Sequence, residues 1–274
     1  MEASVVQPKQ PWQLQMFRRS LKKQQKLKAL QSVMGPVASK ECLLITCGDN
    51  NGALNWHFKQ GGGRWSWADA ERDSVAQIQE LTGDPVTLMD KHNPSLPFSD
   101  GYFDVVITND VHEHVEDPEA VNRELARLVK PGGTVIVTTP RGDERKLAAR
   151  LKHRVGMGLA EYGHVVAGYD IPFHERQLKA VGLKPYTHTS YSFFFTELVE
   201  LMINFLYVKV LSKRSKAKVQ TGQITPQNKD QLKSVEKSFR IYALFYPIFW
   251  IISQFDHLVR FTGGYAVVVA ARKE

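Results

Sequence analysis

The chain has 274 residues, of which 43% are hydrophobic and 23% are charged. This globular composition excludes collagen-like, low-complexity and wholly disordered chains, and it supplies enough apolar residues for a sizeable core. Two cysteines, Cys42 and Cys47, are too few for a disulfide scaffold or a cysteine-rich zinc site. The net charge of +8 suggests nucleic acid or an anionic membrane as a partner.

The positive charge is distributed unevenly along the chain. Residues 1–40 carry +7, residues 41–208 carry −7, residues 209–240 carry +7 again, and residues 241–274 carry +1. The basicity therefore lies in an N-terminal arm and a late segment, on either side of an acidic middle. The N-terminus lacks the apolar run and cleavage pattern of a secretory signal, so we expect a cytoplasmic protein with reduced cysteines.

Strands and helices alternate from residue 41 onward. Strands are predicted over Glu41–Cys47, Arg64–Asp69, Pro85–Asp90, Tyr102–Asn109, Thr134–Thr139 and Leu183–Ser192, with a last strand over Gly264–Ala271. Helices are predicted over Ala53–Lys59, Arg72–Leu81 (closed by Gly83), Asp117–Val129 (with Pro118 in its first turn) and Asp170–Val181, and a turn over Pro131–Gly133. This alternation predicts a parallel sheet with right-handed crossovers.

Polar residues follow four of these strands. Ligands of an open parallel sheet bind at the carboxyl ends of the strands, where Gly48 and Gly52 would let a ligand approach the backbone. Asp69 could accept ribose hydroxyls, and Asp90 could receive an adenine amino group. Each acid alone also fits a helix cap or a solvated turn, but the series together predicts a nucleoside-binding edge.

Three stretches carry a family resemblance: Leu96–Val106 (LPFSDGYFDVV), His112–Pro118 (HEHVEDP) and Leu128–Gly133 (LVKPGG). Through them, residues 41–192 and 264–272 resemble a class I S-adenosylmethionine-dependent methyltransferase, of the branch that methylates quinones and small molecules (methyltransferase type 11). The resemblance implies an α/β fold, with a Rossmann-like, mostly parallel sheet of seven strands whose last strand is antiparallel.

The resemblance also implies site residues for the cofactor S-adenosyl-L-methionine. Gly48 and Gly52 would lie against its methionine part, Asp69 would hold the ribose beside Ala70, Asp90 and Lys91 would meet the adenine, and Asn109 and Asp110 would line the methionine end. The first motif departs from the family pattern, which usually has an acid at Thr46 and a glycine at Asn50. Asparagine tolerates left-handed backbone geometry, so the turn can survive, and Asp49 can replace the acid. A weakly active or inactive enzyme is the alternative that this departure leaves.

The acceptor side contains the candidate bases. Methyl transfer requires alignment, and it requires a base only if the acceptor must lose a proton. His112, His114 and His164 are the candidates, with Tyr162 as a lesser one, although each also fits a helix cap, a packed core position or an ordinary loop. Some relatives hold a divalent metal through a cluster like that of Asp110, Glu113 and His114, but we predict a site without a metal.

Two apolar stretches lie before the last strand. Ser192–Leu211 has Glu197, Glu200 and Asn204 on one helical face, and Phe239–Phe261 contains Pro247, which should kink its helix. A basic run, Lys213–Lys218, lies between them. The two helices could form a lid on the sheet or a homodimer interface, or they could lie in a lipid headgroup layer with the basic run on anionic phosphates. The arm, with Trp12 and Phe17 among lysines and arginines, supports the membrane interpretation, but it could also be a solvated basic helix.

The sequence thus predicts four parts: a basic helical arm (1–40), a cofactor-binding core (41–192), a helical insertion (193–262) and the last strand (263–274). The preferred function is methyl transfer to a lipophilic or lipid-linked acceptor by an enzyme that contacts the inner face of an anionic membrane. A nucleic-acid methyltransferase is the second hypothesis, although no Asn-Pro-Pro-aromatic motif follows strand four. A non-catalytic membrane adaptor with a decayed cofactor site is the third. An NAD dehydrogenase is disfavoured because the first turn lacks the GxGxxG motif.

Overall fold

The computed structural model of the protein describes residues 10–48, 50–211, 224, 226 and 229–274. Its strands are β1 (Glu41–Thr46), β2 (Arg64–Asp69), β3 (Val86–Leu88), β4 (Phe103–Asn109), β5 (Val129–Pro140), β6 (Leu183–Tyr191) and β7 (Ala266–Lys273). They form one sheet in the order β3-β2-β1-β4-β5-β7-β6. Only β7 runs antiparallel to its neighbours, so the predicted fold class is confirmed.

Ten α-helices are present in the described part of the chain: α1 (Trp12–Phe17), α2 (Leu21–Met34), α3 (Ala53–Gln60), α4 (Arg72–Thr82), α5 (Pro118–Leu128), α6 (Leu147–Arg154), α7 (Leu159–Tyr162), α8 (Ile171–Ala180), α9 (Phe194–Phe205) and α10 (Lys229–Gln254). Short 3₁₀ helices cover His112–His114 and Phe255–Thr262, and a π-helix covers Leu206–Leu211. The predicted caps are present, because Gly83 ends α4 in left-handed geometry and the Asp117 carboxylate accepts from the amide of Ala120.

The sheet separates two apolar cores. Side chains of a strand alternate between faces, so Leu43 and Ile45 pack into one core while Cys42 and Leu44 pack into the other. The first core lies under α5 and α8, and the second under α1 to α4. Burial of both faces explains why the strands are continuous apolar runs.

The N-terminal arm packs on the second core. Leu14, Phe17 and Leu30 are buried there, and α2 lies against β6 and α9. α9, the π-helix, α10 and the 3₁₀ helix Phe255–Thr262 form a second layer, which we call the helical cover. The arm is therefore held between the sheet and the helical cover.

The largest differences from the sequence prediction are in β5 and α10. β5 begins at Val129, five residues early, since the predicted turn at Pro131–Gly133 is an irregularity within the strand. α10 begins at Lys229, ten residues before the predicted apolar stretch, and it is one helix through Pro247. No helix within the described ranges is long and apolar enough to cross a membrane.

Candidate active site

A cavity of about 220 Å³ lies at the carboxyl edge of the sheet. The ends of β1 and β4 form its floor, and α2, the loop after α7, and α9 close its sides. Of the residues predicted for the cofactor, Gly48, Asn50, Lys91, Asn109 and Asp110 line it. The fold therefore brings a subset of the predicted residues together at the expected edge.

The turn after β1 is held by its own side chains. The Asn50 amide donates to Thr46 Oγ1 at 3.1 Å and to Asn55 Oδ1 at 3.0 Å, while its oxygen accepts from the backbone of Gly52. Gly48 has a φ of +72°, which glycine adopts without strain. Thr46 and Asn50, the two departures from the family pattern, thus stabilise this turn together. Asp49 lies outside the described residues.

Asp69 does not face the cavity. It is fully buried, and its carboxylate accepts from Thr46 Oγ1, from the amide of Gly48 (3.1 Å) and from the amide of Glu71 (2.8 Å). Burial raises the pKa of Asp69 to about 6, although these donors oppose the shift. The structure thus differs from the expectation that this carboxylate reaches the ribose, because three donors hold it behind the cavity wall.

Gly52, Ala70 and Asp90 also lie away from the cavity. A Cβ on Gly52 would come within 3.0 Å of the α4 backbone, so this glycine permits helix packing. Ala70 packs against the first core, and Asp90 is exposed, where it accepts from the amide of His92. Strand β3 ends at Leu88, so the chain has already left the sheet when it reaches Asp90.

Asn109 and Asp110 form the end of the site nearest the arm. Asn109 is buried, and its Oδ1 has no hydrogen-bond partner in the described part of the protein. Asp110 adopts a φ of +52° and pairs with Lys26 of α2. Lys26 lowers the pKa of Asp110 against the effect of burial.

The three predicted histidines lie in two environments. His112 is fully buried, with its Nε2 2.9 Å from Asn122 Oδ1 and its ring packed edge-on against His174. Burial lowers the pKa of His112 to about 4. The 3₁₀ helix turns the His112 side chain into the core and away from the cavity lining, so its role as a base stays a prediction without support from its position.

His114 and His164 both line the cavity. Their ring centroids are 4.7 Å apart in an edge-on arrangement, and His114 Nδ1 lies 2.8 Å from the carbonyl oxygen of Gly163. Because a carbonyl only accepts, Nδ1 carries a proton in this contact. Burial, together with the neighbouring His114, lowers the pKa of His164 to about 3.

Glu113 lies between these histidines and the sheet. It is fully buried, both carboxylate oxygens lack a hydrogen-bond partner in the described chain, and burial beside Asp110 raises its pKa well above the usual range. Ligand atoms of Glu113, His114 and His164 lie within 4.8 Å of one another. This group could hold a divalent cation or a shared proton. Asp110, which the sequence analysis grouped with Glu113 and His114, pairs with Lys26 instead.

Sequence reasoning missed the residues that close the site. Glu197 of α9 is fully buried and accepts from Lys22 of the arm and from Lys152 of α6, both at 2.6 Å. These two partners hold the pKa of Glu197 far below its usual range despite burial. The shared helical face of Glu197, Glu200 and Asn204 was visible in the sequence, but its direction, toward the cavity, was not.

The sequence profile and the two relatives given below are described as methyltransferases. The sequence profile described as "Methyltransferase domain" matches residues 43–137. An uncharacterized methyltransferase of Mycobacterium sp. (strain JLS) is 43% identical over 44 residues, which are 16% of this chain and 18% of that protein. A ubiquinone biosynthesis O-methyltransferase of Proteus mirabilis is 32% identical over 119 residues, 42% of this chain and 47% of the relative. The match thus spans less than half the length of either relative.

Solved structures share the fold at low sequence identity. Geranyl diphosphate C-methyltransferase of Streptomyces coelicolor, in complex with Mg²⁺, geranyl diphosphate and S-adenosyl-L-homocysteine, has a TM-score of 0.54 and 14% identity, over 92% of this chain and 78% of that one. A Haloferax volcanii methyltransferase, in complex with the Trm112 methyltransferase activator, has a TM-score of 0.53 and 15% identity, over 95% and 93%.

Residues 43–137 match a methyltransferase domain, and the chain shares the fold of solved S-adenosylmethionine-dependent methyltransferases. The cavity at the carboxyl edge of the seven-stranded sheet is the candidate active site.

Proposed function

We propose that the protein transfers a methyl group from S-adenosylmethionine to a lipophilic small molecule at the surface of an anionic membrane. The domain supports the reaction, and the polarity of the helical cover supports the acceptor class and the membrane. The single observation that carries the finer part of the proposal is that α9 and α10 bury several polar side chains while they expose several large apolar ones.

In α9, the buried side contains polar residues as well as Val199 and Leu201, and the exposed side is rich in apolar residues. Glu197 and Asn204 are buried against the cavity, whereas Leu198, Met202 and Leu206 are more than a third exposed. An amphipathic helix on a water-soluble protein buries its apolar face. The exposed face of α9 is therefore suited to an apolar surrounding.

The C-terminal half of α10 continues this surface. Tyr242 donates to the carbonyl of Arg19, and Tyr246 accepts from the Gln24 amide, so the polar tips point toward the arm. The exposed apolar side chains recur at spacings of three and four: Ile241, Leu244, Phe245, Ile248, Ile251, Phe255, Leu258 and Phe261. Monomeric proteins in water seldom expose an apolar surface of this extent.

A membrane interface would cover this face. Burial of one leucine-sized side chain stabilises by about 1.5–3 kcal/mol, so several such residues together support peripheral binding. Exposed Lys237, Arg240 and Arg260 flank the apolar residues and can contact lipid phosphates. The predicted contribution of Lys213–Lys218 lies outside the described residues.

The cavity fits the cofactor. Gly48 presents bare backbone, and the buried, unpartnered Asn109 Oδ1 can accept a hydrogen bond from the cofactor's ammonium group. When bound, the cofactor supplies an electrophilic methyl group on sulfur. We propose that Gly48, Asn50, Lys91, Asn109 and Asp110 hold it.

The remaining residues of the cavity would orient the acceptor and remove its proton. In a neutral ring with its proton on Nδ1, Nε2 can accept a proton, so His114 is the proposed base for a hydroxyl acceptor. His164 packs edge-on against its ring and fixes its orientation. The arm and α9 line this end of the cavity.

The reaction is tested with methyl-labelled S-adenosylmethionine and a total lipid extract from the native cell. We expect label in a product that partitions into organic solvent, and its mass identifies the acceptor. The variant His114→Gln should lower the rate about 10²- to 10⁴-fold for a hydroxyl acceptor, with cofactor binding retained. Label confined to water-soluble products would contradict the lipophilic acceptor.

Membrane contact is tested separately by flotation with vesicles that contain anionic lipid. The triple variant Leu244→Gln, Ile248→Gln, Ile251→Gln should lose at least about tenfold in vesicle affinity and remain folded. The control Tyr102→Gln removes an exposed apolar side chain just before β4, at the amino end of that strand and outside the proposed membrane face. Equal binding of the triple variant and this control would contradict the proposed membrane face.

A further inference from the structure

We infer that Arg141 and Lys146 bind a phosphate group of the acceptor, in a second cavity beside the candidate active site. This inference rests on the proposed function, because it adds a charged group to the lipophilic acceptor proposed there. The second cavity has a volume of about 120 Å³. The loop after β5, the helices α6 and α7, and Tyr265 line it.

The second cavity and the candidate active site share part of their walls. Five residues line both: Lys22, Pro140, Lys152, Tyr162 and His164. The Tyr162 hydroxyl is buried and has no hydrogen-bond partner in the described part of the chain, so it can donate to a ligand oxygen between the two cavities. One ligand could therefore occupy both cavities, with its reacting atom near His164 and a remote group in the second.

Gly263 brings the two cations together. Its carbonyl oxygen accepts from the Lys146 ammonium at 2.5 Å, and a Cβ at this position would come within 2.2 Å of Arg141 Nη1. Gly263 has a φ of +70°, which glycine adopts without strain. The missing side chain thus leaves room for the guanidinium beside the ammonium, and burial together with the charge of Arg141 lowers the pKa of Lys146.

Neither cation pairs with an acid within the ranges that the structure describes. The Arg141 guanidinium forms no hydrogen bond or ion pair there, although the side chain is half-buried. The Lys146 ammonium donates to the carbonyl oxygens of Gly263 and Gly264 and lies 4.4 Å from the centre of the Tyr265 ring. Both positive charges are therefore available to a ligand.

The acids that line the second cavity have other partners. Asp143 pairs with Arg145 at 3.1 Å, and Glu144 lies 3.6 Å from His153. The shared lysines of the two cavities are also paired, since both donate to Glu197. A negative group from outside the chain would thus complete the site at the two unpaired cations.

A phosphate group matches this pair of cations. A phosphate monoester carries about 1.5 to 2 negative charges at neutral pH, so it can neutralise both, whereas a carboxylate would neutralise one. A guanidinium can also donate two parallel hydrogen bonds to phosphate oxygens.

The position of the second cavity indicates that this phosphate is attached to an apolar group. Gly263 directly follows the 3₁₀ helix Phe255–Thr262, whose Leu258 and Phe261 are exposed members of the proposed membrane face. An apolar chain that leaves the cavity could contact this face. A water-soluble phosphate would gain nothing from it.

The test measures binding by calorimetry with three probes: decyl phosphate below its micelle-forming concentration, decanol and inorganic phosphate. We expect the wild type to bind decyl phosphate at least about tenfold more tightly than either of the others. Arg141→Gln should lose about 10- to 100-fold in affinity for decyl phosphate. Lys146→Gln, whose amide can still donate to Gly263, should also lose affinity because it lacks the charge.

Matched variants separate this site from general charge effects. Arg150→Gln makes the same chemical change on α6 at an exposed position that lines neither cavity, so it should bind decyl phosphate like the wild type. Arg141→Lys keeps the charge without the planar fork and should retain part of the affinity. Thermal unfolding of each variant confirms that it is folded.

Three results would overturn the inference. They are equal affinity of the wild type for decyl phosphate and decanol, unchanged affinity in folded Arg141→Gln, and binding of inorganic phosphate as tight as that of decyl phosphate, which would assign the site to free phosphate. Failure of the wild type to label any lipid would contradict the proposed function instead, because the binding measurement does not require methyl transfer.

Discussion

The sheet and the helical cover differ in the side chains that they bury and expose. In β1 the buried residues are Leu43, Leu44 and Ile45, and the charged residues of the sheet lie at strand ends. In α9 the buried residues include Glu197 and Asn204, while Leu198 and Met202 are exposed. The two regions thus differ in what they leave at the surface, and the apolar side chains that the helical cover exposes are the ones to which the proposed membrane contact is assigned.

The largest expected effect on stability is in the helical cover, at a charged residue. Glu197→Gln would leave Lys22 and Lys152 without their shared carboxylate and should lower the free energy of unfolding by about 3 kcal/mol. Urea unfolding measures the change. The control Glu236→Gln disrupts an exposed pair with Arg240 and should cost less than about 1 kcal/mol. Similar losses for both variants would remove the contrast between a buried and a solvated acid.

An intermediate effect on the free energy of unfolding is expected on the sheet side, where the buried titratable groups include neutral imidazoles. The folded pKa of His112 is about 4, below the unfolded value of about 6.5, so the unfolded chain binds more protons in this range. Stability is therefore lost as pH falls, by about 2 kcal/mol from this residue between pH 7 and 5.

His112→Gln should reduce that loss, measured as the difference in unfolding free energy between pH 7 and 5. Glu197 has the lowered pKa of a paired acid, so its stabilisation is lost only below the unfolded pKa of about 4.5. The two regions should therefore lose stability in separate pH windows. An unchanged pH slope in His112→Gln would show that this imidazole is not the group that titrates.

The smallest stability effect is expected at the most apolar surface. Leu244 is 75% exposed, so Leu244→Gln should change the free energy of unfolding by less than about 0.5 kcal/mol in water. Thermal unfolding with and without anionic vesicles measures it, and only the sample with vesicles should distinguish variant from wild type. A large loss without vesicles would show that another protein surface already covers this face.

The architecture could be predicted from sequence because it depends on local patterns. The apolar runs, the Asp117 cap with Pro118 and the Gly83 cap give the strands and helices. Side-chain direction could not be predicted in the same way. Asp69 ends a strand as expected, but Thr46 holds its carboxylate inward, and that contact depends on the register of β1 and β2.

In the helical cover, too, the direction of the side chains could not be predicted from sequence, but for a different reason. The spacing of Glu197, Glu200 and Asn204 predicts one polar face, and ordinary amphipathicity would direct it to water. The partners that direct it inward are Lys22 and Lys152, which are distant in sequence. The α9 side of the cavity therefore depends on long-range ion pairs, which periodicity does not encode.

The contact between Lys22 and Glu197 also has a consequence for synthesis of the chain. Its partners are 175 positions apart, since 197 minus 22 is 175. At about 5–20 residues per second, a ribosome makes the intervening chain in roughly 10 to 35 seconds. The arm emerges first, and during that interval Lys22 lacks Glu197, the acid that it meets in the finished protein. Docking of the arm is thus a late step, completed only after the sheet and α9 exist.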